Sequence, residues 1–418
     1  MPNLIAVEDA QNLVLEFTTL MPVETVAMLD APGRVVAADL TSDVDINGFA
    51  DAAMDGFALK AADIAEASDG NPIELKIVDV VGAGAVYDGE LQHGEAVRIM
   101  TGAAMPAGSD VNVKIEDVQV TGEGVTGDTV LFTIPAKEGA NVRQPGEEAK
   151  AGELVLAKGT LVNAAAVGVL ASTGNVEVPV YGRPKVGVIS IGTELVDSST
   201  VPGFGMKRDS NRHTLAAMAR NAGAEVILYP IVPDVPEKIE AAYREAIAQC
   251  DYVVSSGGAC GGDFDYITQI ITSLADIKFE YVNMKPGKAQ TFGVTPDGKL
   301  LFGLSGNPAA SATGFEILVR PSLLKAQGHT ALFRPMVKAV LEGNAKTKGP
   351  RRHLLRGCLK SDGNGGYVAS PLAKQSSALI GATSQSNCFI VIPEGSVKAE
   401  SGMEVTCIRI DMPEGAEV

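Results

Sequence analysis

The sequence predicts a multidomain chain in which a doubly wound, mostly parallel α/β domain is combined with β-rich domains. Its 418 residues exceed what one hydrophobic core usually supports, so two to four domains are expected. After Lys185, apolar runs alternate with segments of helical period, a pattern typical of an α/β domain. On both sides of that region, short alternating runs separated by glycine-rich turns indicate β structure.

The part before Lys185 begins with a predicted helix over 7–20 and continues as β structure. Between about 72 and 162, runs such as 74–78 alternate in polarity and are split by turns such as 121–124. The helix is predicted from apolar residues that recur on one helical stripe, namely Val7, Ala10, Leu13, Val14, Phe17 and Leu20.

The α/β region opens with the apolar run 186–191, which is suited to a strand buried on both faces. A helix follows with Asp209 or Ser210 as its cap, and Leu215 and Met218 lie on one of its faces. Further strands are predicted at 225–232, 251–256, 278–284, 290–295 and 299–304, and further helices at 236–250, about 264–275 and about 309–326.

The last region, about 330–412, returns to short strands and turns. Its clearest signal is the turn Gly363-Asn364-Gly365-Gly366, which predicts a β-hairpin. A small β domain is therefore expected to close the sequence.

Charge and cysteine content exclude several function classes. The net charge is −17 and the pI is about 4.7, which disfavours nucleic-acid or anionic-membrane binding. The five cysteines form no CxxC pair, so a disulfide framework or a zinc site is not expected. We see no signal-peptide pattern and no apolar run of the roughly 20 residues that a membrane helix needs. We expect a cytoplasmic protein.

Polar side chains follow the predicted strands, where ligands of open α/β sheets bind. Three of them are acids, Glu194, Asp234 and Asp265, and such acids are often helix caps. Three acids converging beside a phosphate site would instead suit Mg²⁺, which takes hard oxygen ligands. The segments expected to meet at one rim are 192–194, 233–234, 255–265, 285–288 and 305–308.

Two of these segments are candidates for anion binding. The glycine-rich stretch 257–262 leads from a strand into a helix, where backbone N–H groups suit an anion, although a merely flexible turn is equally compatible. Lys285 and Lys288 bracket a Pro-Gly turn. Most lysine pairs are only solvated surface, but at a strand end of an acidic chain this pair is a better candidate for phosphate or oxyanion contact.

The densest basic cluster is 351–356. Strand alternation would place Arg352, Leu354 and Arg356 on one face. A solvated edge strand protected by charge explains the pattern as well as a binding function does.

Eight short segments occur in an order that resembles the MoeA family, whose relatives include the gephyrin E domain. Each is weak alone, and together they cover nearly the whole chain. They are Ala53–Ala58, Arg98–Ala103, Asn141–Arg143 with Gly146–Glu148, Asp209–Arg212, Ser256–Gly258 with Asp265–Tyr266, Lys285–Lys288, Gly306–Pro308 and Ser386–Cys388.

The resemblance implies four domains and a site shared between two subunits. The implied domains are a dimer-forming part (1–45 with 140–182), an inserted β-rich domain (46–139), an α/β catalytic domain (183–328) and a C-terminal β barrel (329–418). The implied site lies between the α/β domain of one subunit and the inserted domain of the other.

The implied reaction is the transfer of molybdate onto adenylylated molybdopterin, which gives molybdenum cofactor and AMP and requires Mg²⁺. The molybdopterin adenylyltransferase and molybdoenzyme chaperones are partners that the resemblance suggests. The implied catalytic residues are Asp55, Thr101, Glu148, Glu194, Asp234 and Asp265, with Glu194 and Asp265 as metal ligands. The implied substrate-binding residues are Ser256, Gly257, Gly258, Lys285, Lys288, Ser305, Gly306, Asn307, Pro308, Arg356 and Ser377.

The sequence departs from the family pattern at a few positions. Ser305 stands where the family usually has Pro, Ala289 follows Lys288 in place of Pro, and Glu148 replaces a common Asp. The acids and lysines are retained, so these changes bear on the preference for molybdate over tungstate rather than on catalysis.

Two other functions fit parts of the sequence. The α/β region also resembles the pterin adenylyltransferases and competence-damage proteins, but those lack the 53–58 and 98–103 segments. A non-catalytic, gephyrin-like scaffold is the other alternative, and the retained acids and lysines argue against it.

Overall fold

The computed structural model describes residues 4–257, 266–345, 347, 349–395 and 398–417. The chain divides into two compact units. Unit 1 contains Met1–Val26, Gly33–Ala37 and Pro179–Val418, and unit 2 contains Ala27–Pro32 and Ala38–Val178. Among the described residues, no helix combines the length and the hydropathy that crossing a membrane requires.

Up to Tyr181 the chain is mainly β structure with two α-helices, α1 (Val7–Phe17) and α2 (Ala164–Ser172). The strands are β1 (Val23–Ala27), β2 (Leu40–Thr41), β3 (Asp51–Ala52), β4 (Gly56–Leu59), β5 (Ile73–Val81), β6 (Glu95–Ile99), β7 (Val111–Lys114), β8 (Val118–Val120), β9 (Thr129–Phe132), β10 (Val142–Arg143), β11 (Leu154–Leu156) and β12 (Glu177–Tyr181).

Unit 2 is organised around a six-stranded sheet in the order β7-β4-β6-β5-β9-β8. Apolar residues of its strands, including Phe57, Ile77, Val97 and Phe132, belong to one buried cluster, and β4 is buried along its whole length. The β-rich region predicted from the alternating runs is therefore confirmed.

From Lys185 to Ala326, strands and helices alternate as predicted. The strands are β13 (Lys185–Ser190), β14 (Leu195–Val196), β15 (Lys207–Arg208), β16 (Glu225–Leu228), β17 (Tyr252–Ser256), β18 (Asp276–Tyr281), β19 (Met284–Lys285), β20 (Ala289–Val294) and β21 (Leu300–Leu304). The helices are α3 (Asn211–Asn221), α4 (Pro236–Gln249), α5 (Tyr266–Leu274), α6 (Pro308–Gly314) and α7 (Arg320–Ala326), with a π-helical turn at Phe315–Val319.

Alternate residues of the central strands enter two different cores. In β17, Tyr252 and Val254 belong to one apolar cluster and Val253 to another. The first cluster includes Leu215 of α3, and the second includes Tyr243 of α4. Helices thus cover both faces of the sheet, which confirms the doubly wound architecture.

Strand direction determines which loops meet. The sheet order is β16-β13-β17-β21-β20-β18, and its first four strands are parallel. Because β20 is antiparallel to both of its neighbours, β18 runs in the same direction as the parallel set. The turn between β18 and β20, which contains Lys285 and Lys288, therefore lies at the same edge as the carboxyl ends of the parallel strands.

The C-terminal region is a closed β barrel, as expected. Its elements are β22 (Met336–Leu341), β23 (Arg352–Ser361), β24 (Tyr367–Pro371), α8 (Gly381–Ser384), β25 (Cys388–Ile392) and β26 (Glu404–Arg409). β23 pairs with both β24 and β25, and this closes the sheet on itself. The predicted hairpin joins β23 to β24, and Asp362 Oδ1 accepts the amides of Asn364 and Gly366 at 2.7 and 2.8 Å. These bonds hold the pKa of the Asp362 carboxyl below its usual range.

Three elements differ from the prediction. Helix α1 ends at Phe17 rather than near residue 20, and Leu20 is exposed, because Thr18 takes an extended conformation and bonds back to Val14 O at 2.8 Å. The predicted strand 225–232 ends at Leu228. The predicted strand 278–284 divides into β18 and β19, and β19 pairs with β23 of the barrel. The predicted domain borders stay a prediction.

Candidate functional site

An acidic cavity of about 510 Å³ opens at the carboxyl ends of the parallel strands. The loop after β13 contributes Glu194, the segment after β16 contributes Asp234, and the end of β17 contributes Ser256 and Gly257. Its wall also includes Asp209, Asn211, Gly306, Asn307 and Pro308. Two basic residues, Lys207 and Arg208, line it as well, so three acids stand against two cations. The structure thus brings together seven of the predicted site residues in one cavity.

Asp234 and Thr193 hold two of these loops together. The Asp234 carboxylate accepts the Thr193 amide N–H at 2.7 Å, and the Thr193 hydroxyl accepts the Asp234 amide N–H at 3.0 Å. Both residues are exposed. One carboxylate oxygen is therefore used to join the loops, and Asp234 lines the cavity together with Glu194.

Asn211 joins two further loops of the cavity. Its side-chain amide donates to Ser256 Oγ at 2.7 Å and to Gly306 O at 2.8 Å. The buried Ser256 hydroxyl in turn donates to Ser305 O at 3.2 Å. These bonds fix the spacing between the ends of β17 and β21.

Gly257 is required where the chain leaves β17. Its φ is +104°, and a Cβ there would lie 1.9 Å from the carbonyl oxygen of Ile191. Only glycine, which has no Cβ, tolerates both this backbone conformation and this close approach. Gly258 and Asp265 lie outside the described residues, so the predicted glycine-rich anion site and the third acid receive no structural description.

A second, basic cavity of about 900 Å³ lies between the 285–288 turn and the start of β23. Four basic residues line it, namely Lys285, Lys288, Arg351 and His353. Hydroxyl and amide groups complete the wall, from Ser305, Asn307, Gln375, Ser376 and Ser377. None of the described residues that line it is acidic, in a chain with a net charge of −17.

The two lysines are held by a turn that packs tightly. The Lys285–Pro286 peptide bond is cis, and Gly287 has a φ of +91°. A Cβ at Gly287 would lie 2.6 Å from Gln290 Nε2 and 3.2 Å from Ala310 O. Lys288 Nζ lies 5.1 Å from the centre of the Tyr281 ring, which stabilises the ammonium group.

Arg356 is fully buried. Its Nη2 donates to the carbonyl oxygens of Lys374 and Ser376 at 3.3 and 3.2 Å, so it holds the segment that carries Ser377. Ser377 O accepts the Ala309 amide at the start of α6. Arg356 Nε and Nη1 have no hydrogen-bond partner in the described chain, and burial lowers the pKa of the guanidinium.

Three predicted site residues lie in unit 2. Asp55 Oδ1 accepts both the amide N–H and the hydroxyl of Thr101, each at 2.7 Å. These two bonds hold the pKa of the Asp55 carboxyl below its usual range. Glu148 is exposed and follows β10. The structure therefore joins Asp55 and Thr101 directly.

The sequence analysis missed three contributors to the two cavities, Arg351, His353 and Asn211. It emphasised Arg352 and Arg356, whereas Arg351 and His353 line the basic cavity and Arg352 pairs with Glu8 and Glu394. Asn211 lies in the segment Asp209–Arg212, which was part of the family resemblance, but no role was predicted for it. Alternation in the 351–356 cluster was the available signal, but it could not tell which face would meet the lysine turn.

Family comparisons match three regions of the sequence. Residues 5–174 match the MoeA N-terminal region (domain I and II), and residues 187–325 match a probable molybdopterin binding domain. Residues 338–410 match the MoeA C-terminal region (domain IV).

Individual relatives match over almost the whole length. A molybdopterin molybdenumtransferase of Bacillus subtilis (strain 168) is 36% identical, with 99% of this chain and 96% of the relative covered. The protein of the same name from Staphylococcus aureus (strain Mu50) is also 36% identical, with 97% and 96% covered. A crystal structure of a molybdopterin biosynthesis MoeA protein from Pyrococcus horikoshii OT3 superposes with a TM-score of 0.82 at 29% identity, covering 97% of this chain and 100% of that one.

Proposed function

Because the chain belongs to the MoeA family, we propose that it is a molybdenum insertase, a transferase that moves molybdate onto adenylylated molybdopterin and releases AMP. The observation that carries the proposal is the pair of neighbouring cavities that share Asn307, of which one is lined by basic residues without an acid and the other contains three carboxylates. One offers cations and hydroxyls, and the other offers carboxylates beside loop backbone. A reaction between two anions needs both kinds of surface close together.

The basic cavity supports the binding of molybdate. Two like-charged substrates repel each other, so preorganised cations at their junction lower the barrier to their reaction. Lys285 and Lys288 supply ammonium groups, and Ser377 supplies a neutral donor. Arg356 does not line this cavity, but it holds the segment that carries Ser377.

The acidic cavity suits Mg²⁺. Carboxylates are the hard oxygen ligands that this ion prefers, and it commonly takes one or two of them with water and substrate phosphates. Glu194 and Asp234 would hold the ion, and Asp265 remains a proposed ligand. No group of three His, Cys, Asp or Glu side chains with metal-binding geometry occurs among the described residues. When bound, the ion would neutralise phosphate charge.

The residues of the chain would then position the substrates. Ser256, Gly257 and Gly306 offer backbone and hydroxyl groups at the strand ends, which Asn211 keeps at a constant spacing. The dithiolene sulfurs of the pterin are the nucleophiles, so no protein nucleophile is required. We also propose a homodimer, on the strength of the family resemblance, in which Asp55 and Thr101 serve the site of the partner subunit.

The test is a single-turnover assay with adenylylated molybdopterin, sodium molybdate and Mg²⁺, in which released AMP and newly formed molybdenum cofactor are measured. Equal amounts of both products are expected, and neither in the absence of molybdate. Glu194→Gln should reduce formation of both products, because Glu194 lies in the cavity wall. The matched control is Glu237→Gln, which removes an acid in the first turn of α4, outside the cavity wall, and should leave them unchanged. AMP release that does not depend on molybdate, or the absence of newly formed molybdenum cofactor, would contradict the proposal.

A further inference from the structure

Arg351 lies in the wall of the basic cavity, immediately before β23. Its Nη1 donates to Met284 O at 3.2 Å, so the guanidinium rests against the residue before Lys285. The parallel pairing of Lys285 with His353 keeps the lysine turn and the start of β23 side by side. Arg351 is therefore held close to the two lysines by main-chain structure.

The environment of Arg351 differs from that of its neighbour. Arg352 is neutralised by Glu8 and by Glu394, the latter at 3.1 Å. Arg351 makes no ion pair within the described chain, and partial burial lowers the pKa of its guanidinium. No acid of the described chain balances this charge, so the guanidinium is available to an anion that enters the cavity. A guanidinium has five N–H donors, and Met284 O occupies only one end of the fork.

We propose that Arg351 contacts the tetrahedral oxyanion in the basic cavity directly, as a third cation beside Lys285 and Lys288. This inference rests on the proposed function, because it requires that cavity to be the oxyanion site. The planar fork of an arginine can grip two oxygens of one anion, whereas each lysine offers a point charge. Arg351 would thus orient the oxyanion that the lysines attract.

The first experiment measures binding of sodium molybdate to the full chain by calorimetry at constant ionic strength. Arg351→Gln should weaken binding about tenfold or more, the usual effect of losing a charge-assisted hydrogen bond. Arg352→Gln is the matched control and should bind within about twofold of the parent. Lys288→Gln tests whether the basic cavity is the site where molybdate binds. If Lys288→Gln weakens binding and Arg351→Gln does not, the inference is wrong while the proposed function stands. If neither weakens binding, the assignment of the cavity fails too.

The second experiment distinguishes direct contact between Arg351 and the oxyanion from a role of Arg351 in supporting the lysine turn. It uses the unmodified chain, so its result does not depend on whether a variant folds. The unmodified chain is treated with phenylglyoxal, an arginine reagent, with and without molybdate, and labelled arginines are identified by mass spectrometry. Molybdate should protect Arg351 and leave the labelling of exposed Arg244 unchanged. Equal labelling of Arg351 in both samples would mean that it only supports the turn.

Discussion

Asp234 and Thr193 form a reciprocal pair in which each residue accepts the backbone N–H of the other, at 2.7 and 3.0 Å. Their loops follow β16 and β13, which are adjacent parallel strands. The pair keeps the Asp234 carboxylate at the rim of the acidic cavity, where Asp234 forms no ion pair with any described residue. Stability and metal binding at this position can therefore be separated by mutation.

Asp234→Asn retains an oxygen that accepts the Thr193 amide and removes only the charge. We expect unfolding free energy within about 0.5 kcal/mol of the parent and a higher Mg²⁺ concentration for half-maximal AMP release. Thr193→Val removes the acceptor for the Asp234 amide and should cost about 0.5–1.5 kcal/mol with little change in Mg²⁺ dependence. Urea unfolding and Mg²⁺ titrations measure the two effects. An Asp234→Asn variant with the parent's Mg²⁺ dependence would remove Asp234 from the metal site.

Arg356→Lys should weaken the use of molybdate while sparing the binding of adenylylated pterin. The buried Arg356 bonds the carbonyls of 374 and 376, and lysine lacks the planar fork that makes these bonds. The segment that presents Ser377 to the basic cavity should therefore be held less firmly in the variant. Losing a bond from a charged donor costs about 1.5–3 kcal/mol, roughly ten- to a hundredfold in apparent affinity. Ser377→Ala should act in the same direction but more mildly. The measurement is AMP release against molybdate concentration. Impaired pterin binding with unchanged molybdate dependence would assign Arg356 to the pterin or its phosphates instead.

Thr101→Val should raise the pKa of the Asp55 carboxyl toward its usual value. The hydroxyl bond stabilises the ionised form, and the Thr101 amide bond remains, so the rise should be partial. A lowered carboxyl pKa adds stability above the unfolded-state pKa, and this is lost as the pH falls through the folded-state value. The stability difference between parent and variant should therefore be present at neutral pH and shrink on acidification. NMR titration of the Asp55 carboxyl measures the shift, with Thr101→Ser as the control that retains the bond. An unchanged pKa in Thr101→Val would leave the backbone amide as the main cause.

Mixed dimers should test whether two subunits share a site. Asp55→Asn and Glu194→Gln homodimers should both be poorly active, because each lesion would affect both sites. After subunit exchange, one site of the heterodimer should contain both lesions and the other neither, so some activity should return. The activity of mixtures is compared with that of the separate variants, with exchange verified by mass labels. Full exchange without recovery would place both residues in the site of one protomer.

Much of the fold could be predicted from local pattern. The run 186–191 is almost entirely apolar because β13 is covered on both faces. The turn 363–366 closes a hairpin because Gly363 and Gly365 adopt left-handed conformations. Predictions failed where a distant partner decided the outcome. Residue 284, at the end of the predicted strand 278–284, belongs instead to β19, because β23, distant in the sequence, pairs with it.

For the site, the sequence by itself determined which chemistry was present: acids and glycines after parallel strands, two lysines around a rigid turn, and a basic cluster in an acidic chain. Topology then dictated that the strand-end loops meet at one edge. Only the tertiary structure decided how the basic cluster is divided, with Arg351 in the basic cavity, Arg352 paired with acids and Arg356 buried under the 374–377 segment. Neighbouring residues on a strand face different surroundings, and those surroundings come from remote parts of the chain that no local pattern encodes.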